Sequence, residues 1–67
     1  MITLKIETEQ EEDDRWLAEV IELPGVPLAY DSSQDTAISK VQALTLRVIA
    51  ERLEYGEGGA ELLGVSF

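Results

Sequence analysis

Arg15-Trp16-Leu17-Ala18-Glu19-Val20-Ile21-Glu22-Leu23-Pro24-Gly25 is the stretch on which the fold turns. In an extended chain successive side chains point to opposite faces, so Trp16, Ala18 and Val20 share one side and Leu17, Glu19 and Ile21 the other. Both sides are substantially apolar. Pro24-Gly25 closes the stretch, because proline cannot donate to a ladder and the pair is a strong turn signal. A strand over Arg15–Leu23, ending in a turn, is predicted.

Upstream, Met1 to Thr8 alternates as well, with Ile2, Leu4 and Ile6 on one side and Thr3, Lys5 and Glu7 on the other, a half-buried first strand. Between the two strands Glu9 to Asp14 holds five carboxylates in six residues and reads as a solvated hairpin loop. Downstream, Val26 to Tyr30 is a short third strand that Pro27 confines to an edge or a bulge. Ser33 is the expected N-cap of a helix, with Asp35 complementing the positive dipole end in its first turn. The helix is expected to run to Glu54 or Tyr55, where Gly56, Gly58 and Gly59 stop it. Its spacing gathers Ala37, Val41, Leu44 and Val48 into one stripe, flanked by Ile38, Thr45 and Ile49. Leu46, Ala50 and Leu53 fall outside it as a second apolar strip. Ala60 to Phe67 is the last strand, with Leu63, Val65 and Phe67 on one face. The order is β-β-β-α-β in one α+β domain over residues 1–67, a mostly antiparallel sheet on one helix. A right-handed crossover would make the last strand parallel to a neighbour.

With 67 residues there is room for one small core, which excludes two-domain enzymes and large cofactor folds. Fourteen acidic residues against five basic ones give a net charge of −9, which disfavours direct nucleic-acid binding and suits a basic partner or solubility. Cysteine and histidine are both absent, which removes disulfides, the usual zinc and copper ligands, and Ser–His or Cys–His catalysis. No cofactor is expected. The longest uncharged run, Leu23 to Tyr30, is too short to span a membrane, and the N-terminus lacks a basic-then-apolar leader pattern. The cytoplasm is the expected location.

Trp16-x-Ala18 followed by Leu23-Pro24-Gly25, then Ala29-Tyr30 and the helix start Ser33…Ala37-Ile38, resembles the HicB-like family over essentially the whole chain. The resemblance implies a partial ribonuclease-H-like fold, a curled sheet with one helix against it. It also implies a structural role for the motif residues Trp16, Ala18, Pro24, Gly25, Tyr30, Ser33 and Ala37. Best-known members are antitoxins that block HicA, a small basic toxin that cleaves messenger RNA. Such antitoxins usually carry a C-terminal DNA-binding segment, whereas this sequence ends at Phe67 after its last strand, so operator binding is not expected of it.

The expected function is therefore non-catalytic: an antitoxin-type module masking a HicA-like toxin, with a stand-alone homo-oligomeric scaffold as the alternative. Candidate partner-binding residues are Glu9, Glu11, Glu12, Asp13 and Glu19. Self-association, most simply as a dimer, would use Leu17 and Ile21 on the sheet or Leu46, Ala50 and Leu53 on the helix. A metal-dependent nuclease reading of Glu7, Glu19 and Asp31 ranks last, since these acids are scattered. The acidic loop lacks the spacing of a calcium loop, so no metal site is expected.

Overall fold

A computed structural model describes residues 2–23, 25, 27–57 and 64–67 of the chain. The described elements are β1 (Ile2–Thr3), β2 (Glu7–Gln10), β3 (Trp16–Glu19), β4 (Leu28–Asp31), α1 (Gln34–Glu54) and β5 (Val65–Ser66). Strands β2, β3 and β4 form an antiparallel sheet in that order, and β1 pairs with β5 in parallel. The architecture is the α+β order expected, with the crossover through α1 making the last strand parallel to the first.

The first strand is not continuous. Ile2, Leu4 and Ile6 do turn inward, with Leu4 fully buried, but the ladder breaks between Thr3 and Glu7. The cause is a change of partner. Leu4 N–H still donates to the Ser66 carbonyl at 2.8 Å, whereas Lys5 N–H turns to the Glu22 carboxylate, also at 2.8 Å. Beyond that point the chain pairs with β3 instead of β5.

The acidic loop is tighter than expected, because Glu9 and Gln10 belong to β2. Asp14 N–H donates to Glu11 O at 3.0 Å and Glu11 N–H to Arg15 O at 2.7 Å, with Asp14 left-handed at φ 67. That is a three-residue hairpin connection ending in a left-handed residue, and aspartate tolerates that conformation better than most side chains.

Strand β3 stops at Glu19, short of the expected Leu23. Val20 N–H still bonds the Pro27 carbonyl at 3.0 Å, after which the chain turns and Ile21 is exposed. Gly25 takes φ 86, the left-handed conformation a turn there requires. Pro24, Val26 and the expected strand start and glycine stop over 58–63 lie outside the described residues. Pro27 sits just before β4, which is an edge of the three-stranded sheet, as its proline requires.

Helix α1 is capped at both ends by local chemistry. Ser33 Oγ accepts from Thr36 N–H at 3.4 Å, and Asp35 lies in the first turn. At the other end Gly56 is left-handed at φ 74; its N–H reaches Leu53 O and that of Glu57 reaches Arg52 O, a Schellman stop. The buried row is Ala37, Val41, Thr45 and Ile49, rotated from the expected stripe, which leaves Leu44 and Val48 half-buried. An i, i+4 row is one of the natural ridges by which helices pack, and here it lies over β3 and β4. Leu4, Ala18, Val20, Leu23, Ala37, Val41 and Ile49 make the core, with Trp16 only partly buried at its margin.

Thr45 enters this core fully buried, and its hydroxyl finds no partner among the described residues. A buried unpaired polar atom costs about 1–3 kcal/mol. Thr45→Val keeps the shape and removes the hydroxyl, so the variant is expected to gain about 1 kcal/mol, a rise of several degrees in Tm for a chain of this size. Thermal unfolding checks it; a lower Tm would show that the hydroxyl is satisfied.

Candidate helix-free sheet face

One helix covers one side of the three-stranded sheet, and the register fixes what remains on the other. Glu9, Leu17 and Tyr30 form one cross-strand row, and Glu7, Glu19 and Leu28 form the next. These residues alternate with Thr8, Ala18 and Ala29, whose row faces α1; Gln34 at the helix start reaches Thr8 Oγ1 at 3.1 Å. The open face is therefore an apolar patch, Leu17 with the exposed Leu28 and Tyr30, edged by three carboxylates.

The hairpin loop extends that rim. A shallow hollow lined by Glu9, Glu11, Glu12, Asp13, Arg15 and Tyr30 joins the loop to the face. Arg15 lies 4.9 Å from the centre of the Tyr30 ring, a cation–π contact, while its Nε donates to Asp13 Oδ2 at 2.6 Å. The Arg15 backbone N–H and then its guanidinium hold the Asp13 carboxyl below its ordinary value. A second hollow runs between Lys5, Glu7, Glu9, Leu17 and Glu19. Around the patch six carboxylates thus stand against two cations, Lys5 and Arg15.

The fold brings all five candidate partner-binding residues to this face or its edge. Leu17 is there too, whereas Ile21 lies past the end of β3, in the following turn. Tyr30, one of the motif residues, is exposed on the open face. Leu28 belongs to the face as well and escaped the sequence reading, its signal being the alternation with Ala29; Glu7, read from sequence only as a nuclease carboxylate, lies on the same face. On the helix, Leu46 and Leu53 are each half exposed and Ala50 is exposed, so the second apolar strip does face outward.

The three acids of the nuclease reading do not meet. Glu7 and Glu19 are cross-strand neighbours, but Asp31 pairs across from Trp16 in a row facing the helix side. Its carboxylate is taken by Lys40 Nζ at 2.6 Å and by Ser33 N–H at 3.2 Å. Among the described residues no group of three such ligands is placed to hold a metal ion. No described helix is long and apolar enough to cross a membrane. Compared with protein-family models, curated proteins and solved structures, the chain matches none.

Lys40, and then the Ser33 N–H, lower the Asp31 carboxyl below its ordinary 3.8. A carboxyl depressed in the folded state stabilises above its unfolded value, and that contribution fades as pH falls below about 3.8. Asp31→Asn should therefore flatten the acid limb of a stability–pH curve; an unchanged limb below pH 4 would contradict it.

Glu7 and Glu19 oppose each other directly, and like charges in that position are destabilising. Glu19→Lys converts the pair to opposite charges and should stabilise the fold by about 0.2–1 kcal/mol. Urea unfolding at low salt measures this, and a loss of stability would refute it.

Proposed function

We propose that the chain is a HicB-like binding module, an antitoxin-type domain that masks a basic HicA-type ribonuclease and performs no catalysis itself. The observation that carries this reading is the uncovered sheet face: Leu17, Leu28 and Tyr30 offer apolar area, and Glu7, Glu9 and Glu19 surround it with negative charge. The Glu7–Glu19 opposition has a local cost that a cationic partner side chain would relieve. The loop acids Glu11, Glu12 and Asp13 widen the negative field and would speed encounter with a positive surface. The same field repels phosphates, so inhibition would come from covering the toxin's RNA groove and not from holding RNA.

A second reading, a homo-oligomeric domain with no toxin, is supported by a different feature, the exposed Leu46, Ala50 and Leu53. The two readings use opposite sides of the fold and can both hold.

Co-purification with the product of the neighbouring reading frame tests the antitoxin reading. The expected companion is a small basic chain containing histidine. Against it, neutralising Glu9, Glu11, Glu12 and Asp13 together should slow association at ~50 mM salt and matter little at ~500 mM, where the screening length has fallen severalfold. Glu19→Lys, although stabilising, should weaken the complex at least tenfold. Failure to co-purify a basic partner, or full affinity in Glu19→Lys, would remove the sheet face from the function.

A further inference from the structure

The chain's charge is divided unevenly. Helix α1 holds three acids (Asp35, Glu51, Glu54) and three bases (Lys40, Arg47, Arg52), so it is neutral, and the whole net charge of −9 lies outside it. Eleven of the fourteen acids but only two of the five bases remain for the rest of the chain. The acid-edged sheet face would therefore repel its own copy. The helix would not.

On that neutral helix Ala43, Leu46, Ala50 and Leu53 are all exposed, spaced three, four and three residues apart. This is the 3.5-residue seam of paired helices, and it lies away from the Ala37–Val41–Thr45–Ile49 row already used against the sheet. The seam alternates small and large: alanine, leucine, alanine, leucine. A parallel, in-register copy would set leucine against leucine and alanine against alanine. An antiparallel copy, with its two-fold axis midway between Leu46 and Ala50, sets each Leu46 against the other chain's Ala50 and each Leu53 against its Ala43. That arrangement fills each alanine gap with a leucine and opposes the helix dipoles.

We infer that the chain forms a two-fold homodimer through this α1 seam, antiparallel, leaving both acid-edged sheet faces open. The inference rests on the self-association reading above, extends its strip to Ala43 and gives it an orientation. From residue 43 to residue 53 the seam is only about 15 Å long, so the contact is small and the dimer weak.

Sedimentation equilibrium of the full chain over ~10–500 µM is expected to show reversible dimers, with dissociation in the range of tens of micromolar. Leu46→Glu and Leu53→Glu, both at exposed positions, should shift the mass to one chain while the thermal unfolding of the monomer stays unchanged. Because the chain has no native cysteine, single cysteines report orientation directly. A short bis-maleimide should link Ala50→Cys copies, whose cysteines lie about 6 Å apart along the axis, and not Ser39→Cys copies, about 27 Å apart. A mass of one chain at ~500 µM would overturn self-association altogether. A dimer that survives both glutamate variants would overturn the helix seam alone, and equal linking at both cysteines would overturn the antiparallel arrangement.

Discussion

Everything in this small fold follows from one helix covering one side of a twisted antiparallel sheet. Strand periodicity is two, so each side chain sent towards α1 sends its neighbour towards water. Ala18 and Val20 go to the helix, and Leu17 and Glu19 are left on the open side. The small core also explains why alanine is used at Ala18, Ala29 and Ala37: the helix approaches the sheet over short side chains, and the larger Leu4, Val20 and Val41 fill the centre. At this chain length such a core is a modest reserve. The caps at Ser33 and Gly56 and the Asp31–Lys40 bond therefore count for more than they would in a larger domain.

What was legible in the sequence was what local chemistry decides. The alternation of Ile2, Leu4 and Ile6, the Ser33 cap, the Gly56 stop and the edge placement forced by Pro27 each depend on neighbours within a few residues. What was not legible depended on distant partners. The first strand divides because one half meets Ser66 and the other meets β3, and Glu22 takes the backbone donor between them. Nothing within residues 1–8 records that. The buried helix row was misjudged for a related reason. Hydrophobicity favoured Leu44 and Val48, but the sheet selects an i, i+4 ridge and accepts Thr45 in it, with its hydroxyl unpaired among the described residues.

The candidate face shows the same division. That Glu9–Asp14 is an acidic run and that Glu19 shares a side with Leu17 was readable from composition and alternation. That Leu28 and Tyr30 complete an apolar patch among them required the β3–β4 register, which sets Tyr30 beside Leu17 and Leu28 beside Glu19. A one-residue slip would have turned both inward. Arg15 illustrates the reverse case. By sequence it is a lone cation after an acidic run, yet it is held between Asp13 and the Tyr30 ring and adds little free positive charge to the surface.

Charge and apolar area are sorted together in this fold, which bears on partner choice more than either does alone. An apolar patch without charge binds any similar patch, including its own copy, whereas a patch ringed by like charges rejects its copy and accepts only a surface of opposite sign. The sheet face is of the second kind, because β2 and β3 place Glu7, Glu9 and Glu19 around Leu17. The exposed seam of α1 is of the first kind, because the helix balances three acids with three bases. Two apolar surfaces on opposite sides of one core thus differ in the charge around them, and would differ in the partners proposed for them, because of where fourteen carboxylates fall in a strand–strand–helix order.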